Sequence, residues 1–167
     1  MKLSVNDQLI ETRNQLLNEI NSLTIEDLNR KLDDSTWSVS QICHHLFLTE
    51  RVFTQSVVYG LKQGHPRKAD PKTIHLAADR TQKANAPDMV VPGDVPLSFD
   101  QIVELLDESR AILFEVLDRI EDKSLLSERS VKHPLFGHLP LNQWIDLVYL
   151  HEQRHIEQIK EIKAQLK

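Results

Sequence analysis

Apolar positions recur at helical spacing in four long stretches of the chain. In the first, about Val5 to Ser22, Leu9, Ile10, Leu16, Leu17 and Ile20 fall on one side. Thr24 and the three residues after it read as a short capped turn of helix. The second long helix opens at Ser38-to-Gln41, an S-x-x-Q capping box, and continues to about Leu61. The third opens at a similar box, Ser98-to-Gln101, just after Pro96, and persists to about Ile120. The fourth starts near Pro140, a good first-turn proline, and runs almost to the last residue. No stretch sustains period-two alternation, so no sheet is expected.

Four such helices in 167 residues imply an all-α fold, a four-helix bundle, formed as a single domain over residues 1–167. Between the second and third helices lie about 35 residues, Lys62 to Leu97, holding five prolines. That crossover is long enough to travel from one end of the bundle to the other. It therefore predicts parallel neighbours rather than a plain up-down-up-down order. A short helix is expected inside it near Ile74–Lys83.

Composition narrows the partners. The net charge of −5 is spread along the chain with no basic stripe, which argues against nucleic acid. No apolar run approaches the ~20 residues needed to cross a bilayer, so no membrane partner is expected. MKLSVNDQLIETRNQ lacks the apolar centre of a signal peptide, and the single cysteine, Cys43, suits a reducing cytoplasm. A buried, inert thiol is the expectation for Cys43.

The eight histidines are the unusual feature. His151 and His155 lie one turn apart within HEQRH, close to the apolar stripe of Trp144, Val148, Ile159, Ile162 and Leu166. Two imidazoles among aliphatic side chains need satisfied nitrogens. Either a metal or a hydrogen-bonded pair of core histidines does this. The pattern matches H-E-x-x-H of zinc proteases, but only twelve residues follow His155, without a histidine among them, and no neighbouring sheet is expected. A third ligand must come from upstream. On the second helix, His44 faces away from the stripe of Val39, Ile42, Leu46, Phe53 and Val57, whereas His45 lies on its flank. Three histidines from two helices with one position open is the arrangement of a catalytic metal site.

Other residues have two readings each. Glu50 and Glu152 project to the edges of their stripes, to orient a ligand histidine, to act as a base, or to form an interhelical salt bridge. Gln158, close to His151 in projection, lines the site or makes a plain interhelical hydrogen bond. Arg154 turns further out, towards the surface or the crossover. His65, His75 and His138 are expected in solvated loops. His133, in the loop leading into the fourth helix, is read either as solvated or as able to approach substrate. Trp37 and Trp144 are core anchors, and the crossover, with Arg80 and Pro87 to Pro92, is the expected lid or pocket wall.

Three motifs then carry a resemblance over nearly the full length. They are WSVSQICHHL from Trp37, HPLFG from His133, and LNQW followed by HEQRHIEQ from Leu141 to Gln158. In this order the chain resembles the DinB superfamily, and within it the YfiT-like metal-dependent hydrolases and bacillithiol S-transferases. The resemblance implies a bundle with its long crossover between the second and third helices. It implies zinc or nickel held by His45, His151 and His155, and homodimers formed through bundle faces. Two chemistries follow. In one, a small thiol of the bacillithiol type attacks an electrophilic substrate. In the other, metal-bound hydroxide drives hydrolysis. A non-catalytic metal- or ligand-binding module is the remaining alternative.

Overall fold

A computed structural model describes residues 3–81 and 85–166. Its elements are α1 (Val5–Ile20), α2 (Ile25–Asn29), α3 (Val39–Lys62), α4 (Phe99–Asp118), α5 (Leu125–Glu128), β1 (Ser130–His133), β2 (Gly137–Pro140) and α6 (Leu141–Gln165). The crossover carries 3-10 turns at Ile74–Ala78 and Asp88–Val90. The expected crossover helix is thus a shorter 3-10 turn, and its Lys83 end lies outside the described residues.

Local sequence sets the helix starts. Ser38 and Ser98 each accept a hydrogen bond from the backbone of the third helical residue, and Gln41 and Gln101 reach back to the cap backbone. Both halves of each capping box are therefore present. Ser4 and Thr24 cap α1 and α2 through their hydroxyls.

α3 packs against α4 and α6, and α1 packs against α6. Direction follows from two apolar clusters. One joins Leu16 and Ile20 of α1, Ile42 and Leu46 of α3, Ile102 and Leu106 of α4, and Ile156 and Ile159 of α6. The other joins Leu9, Val57, Leu113, Leu117 and Val148. Residue numbers rise from the first cluster to the second in α3 and α4 and fall in α1 and α6. α3 and α4 are thus parallel, as the long crossover requires.

Between the clusters the interior is ionic. Arg13 of α1 donates from Nε and Nη2 to Glu152 of α6 at 3.0 and 3.1 Å, and from Nη2 to Glu50 of α3 at 3.1 Å. Arg110 of α4 donates from Nε and Nη2 to Glu50 at 3.0 and 3.2 Å, and from Nη2 to Glu152 at 3.1 Å. The remaining guanidinium nitrogens cross over, Arg13 to the Leu106 carbonyl and Arg110 to that of Leu9. All four side chains are buried. Two positive and two negative groups cancel, and every carboxylate oxygen is satisfied, which makes burial of four ions tolerable. Burial pulls the Arg13 guanidinium down, but Glu152 and Glu50 outweigh it and raise it above its ordinary range.

Three expectations change here. Ile10 is half exposed, and Arg13 takes the interior position on α1. At about 100° per residue, Arg13 lies about 40° from Leu9 and Ile10 lies about 100° away. A sheet is present among the described residues, an antiparallel hairpin with Val131 opposite Leu139 and Lys132 opposite His138. Strands of four residues are too short to show alternation. They are held instead by tertiary contacts: Leu139 is fully buried, and the Trp144 indole donates to the Val131 carbonyl at 3.2 Å. Gly137, at φ +71°, makes the turn. His133 and His138 accordingly lie on β1 and β2 rather than in loops.

The hairpin also closes the end of α3. The Arg129 guanidinium donates to the carbonyls of Gly60, Leu61 and Gln63, which have no partner within the helix. Gly60 leaves room for α6, since a Cβ there would stand 2.5 Å from the Leu141 side chain.

Candidate metal centre

α3 delivers His45 and α6 delivers His151 and His155 to one point. The Nε2 of His151 stands 3.1 Å from the Nε2 of His45 and 3.1 Å from that of His155. One ligating nitrogen from each ring lies within 4.8 Å of the others, the one such group of three among the described residues. An ion ~2.05 Å from each imidazole in tetrahedral geometry would set its nitrogens about 3.3 Å apart.

The outer nitrogens decide what the inner ones can do. His45 donates from Nδ1 to the Val90 carbonyl at 2.7 Å, and His155 from Nδ1 to Gln158 Oε1 at 2.7 Å. In the neutral form both rings therefore present bare lone pairs at Nε2. His151 has at most one proton at Nε2, so hydrogen bonding can satisfy only one of the two 3.1 Å contacts. A second proton is disfavoured. Burial lowers all three imidazoles, His155 to about 3 and His151 well below its ordinary value. A cation answers both contacts at once, so these residues fit a divalent metal.

Their surroundings are uneven. His45 and His155 are buried, and His151 is partly exposed. Trp37 packs on His45 with ring centres 4.9 Å apart, and Thr49 lies beside the same ring. Phe53 stands edge-on to His151 at 6.0 Å and to Trp144 at 5.6 Å.

The other sequence candidates divide. Gln158 is a direct partner of His155. Glu50 and Glu152 belong to the salt-bridge reading: Arg13 and Arg110 occupy all their oxygens. That corrects their candidacy as catalytic base or histidine orienter. The two arginines themselves were missed, although each lies in an apolar stripe, Arg13 between Leu9 and Leu16 and Arg110 between Leu106 and Leu113.

His44 does not face open solvent. The crossover covers it, and its Nδ1 accepts the Gly93 N–H at 3.2 Å. Gln41 reaches the same segment through the Gly93 carbonyl and Asp94. Arg154 donates to the Asp79 carbonyl, also in the crossover. Val90 is the element that sequence reasoning could not name, because a backbone carbonyl leaves no residue-type signal.

The class defined so far is a four-helix bundle with a parallel central pair and a three-histidine cluster opening to one side. The chain belongs to the DinB superfamily, whose family model matches residues 8–159. Among curated proteins it is similar to YuaE of Bacillus subtilis (strain 168), described as uncharacterized, at 30% identity over 156 residues, covering 93% of this chain and 95% of that one. Two solved structures share the fold. YfiT from Bacillus subtilis, described as a probable metal-dependent hydrolase with an unusual four-helix bundle topology, superposes with TM-score 0.64 at 17% identity, covering 99% of this chain and 90% of that one. TT2238, described as a four-helix bundle protein, gives TM-score 0.63 at 19% identity, covering 94% and 96%. No described helix is long and apolar enough to cross a membrane.

Proposed function

We propose that this protein is a metal-dependent enzyme that holds one zinc or nickel ion through Nε2 of His45, His151 and His155. Its activity transfers a small thiol to an electrophilic substrate. The supporting observation is the pair of 3.1 Å contacts from His151 Nε2 to the Nε2 atoms of His45 and His155, two rings whose outer nitrogens are already committed as donors. When bound, the ion supplies Lewis acidity that ionises a thiol or a water in its open position.

The chain's own residues orient and exclude. The Val90 carbonyl fixes the His45 tautomer, and Gln158 does the same for His155. Burial keeps the rings neutral, the form a metal requires. The substrate thiolate forms a carbon–sulfur bond as a halide departs with its electron pair, or as an epoxide carbon–oxygen bond opens and its oxygen takes a proton.

Thiol transfer is favoured over hydrolysis by the fate of Glu50 and Glu152. No carboxylate hydrogen-bonds the three rings among the described residues, and these two are locked between arginines. A thiol ionised directly has less need of a base. The description of YfiT supports the second reading, hydrolysis by an activated water.

The test begins with elemental analysis of tag-free protein, which should show one divalent ion per chain, lost in His45→Ala and His151→Ala. The holo-protein is then given alkyl halides and epoxides with bacillithiol or glutathione, and separately ester and amide substrates. Thiol-dependent turnover supports the first reading. Turnover of esters or amides alone supports hydrolysis. No bound metal sinks both.

A further inference from the structure

The open side of the histidine cluster has a wall of its own. Val90 at 5% exposure and the Trp37 ring close the His45 side. Approach is left from His151, the partly exposed member, and there the neighbouring side chain is Phe53. From Phe53 the rings continue to His133 at 6.4 Å, and from His133 to Phe136 at 5.0 Å. Trp144, 4.9 Å from His133, backs this row but is itself buried and engaged with the hairpin backbone. Phe53, His133 and Phe136 each keep part of their surface open.

His133 adds one directed polar group. Its Nδ1 accepts the backbone N–H of Leu135 at 3.0 Å and is also within reach of that of Phe136 at 3.4 Å. The ring's proton is therefore on Nε2, which has no protein acceptor among the described residues. The row thus holds an available N–H donor at His133, two ring-to-ring steps from His151. Aromatic faces take flat ligands edge-on or offset, while aliphatic chains gain less from them.

We propose that the site selects substrates with a flat aromatic or conjugated body, packed on Phe53, and with a hydrogen-bond acceptor that reaches His133 Nε2–H. This rests on the metal reading above. Phe53 and His133 are then the determinants of specificity, while His45, His151 and His155 hold the ion.

The test uses cobalt-substituted protein, whose visible bands report ligands entering the open position. Acetohydroxamate and benzohydroxamate share one metal-binding group and differ in the aromatic ring. Benzohydroxamate should bind at least tenfold more tightly. Phe53→Leu, which keeps apolar volume in the wall, should shrink that preference below threefold with cobalt uptake unchanged. A 4-acetyl substituent should add a further gain of at least threefold in the unaltered protein and none in His133→Phe. Equal affinity for the two hydroxamates, or a preference that survives Phe53→Leu, overturns the proposal while the metal reading stands. Failure to take up cobalt overturns both.

Discussion

Glu50 and Glu152 sit on different helices, yet they accept hydrogen bonds from the same two guanidiniums, Arg13 and Arg110. Through these four side chains all four long helices meet in one neutral knot at mid-bundle. α3 and α6, which carry the three clustered histidines, are thereby held against each other a turn or so from the site.

Breaking the knot at one member strands a buried charge. Arg13→Ala or Glu152→Ala should each destabilise the fold by about 3–5 kcal/mol. Replacing all four residues by apolar ones of similar volume should restore most of that loss, because no ion is then left unpaired. Urea unfolding of the single and quadruple variants measures this. A single-variant loss below ~1 kcal/mol would mean water reaches the knot and solvates the orphan.

Gln158 accepts the Nδ1–H of His155, one of the three proposed ligands. Gln158→Leu removes the acceptor for His155 Nδ1–H and frees the ring to turn. Metal affinity should fall by about 10- to 100-fold, as for other partners that orient ligand histidines. Competition with a chelator reads the change, and circular dichroism should show unchanged helix content. Equal affinity in both proteins would leave Gln158 a packing residue only.

His133 should stay neutral in mildly acidic solution. Burial pushes its imidazole down to about 4, and its Nδ1 is occupied as an acceptor. A folded-state pKa below the unfolded ~6.5 gives stability that is complete above pH 6.5 and lost as pH falls towards 4. Nitrogen chemical shifts should show the Nε2–H tautomer down to about that pH. His133→Phe should be less sensitive to acid than the unaltered protein over the same range. A ring that titrates near 6.5 would contradict the hairpin geometry.

Cys43 is only 1% exposed, and burial pushes its thiol up to about 12. It should resist alkylating and disulfide reagents in the native protein and react fully once denaturant is added. Fast native-state labelling would show that the first apolar cluster opens readily. Thiol chemistry at the site, if found, must use a thiol from solution.

What was legible in the amino-acid order is what depends on near neighbours. Ser38 with Gln41 and Ser98 with Gln101 announced helix starts, because a capping box is complete within four residues. His151 and His155 were a pair on one face because helical pitch alone puts them there. His45 could be preferred over His44 from its angle to the apolar stripe, and the length of the crossover was enough to make α3 and α4 parallel. Other features required distant segments to meet. The carboxylates of Glu50 and Glu152 had open roles until two arginines, one 139 residues from Glu152 along the chain, arrived to claim them. The hairpin exists because Trp144 and Leu139 hold strands too short to persist alone. The His45 tautomer depends on a Val90 carbonyl 45 residues away. Periodicity tells which way a side chain points, but only tertiary packing brings it a partner, and the partner sets its charge, its proton and its chemistry.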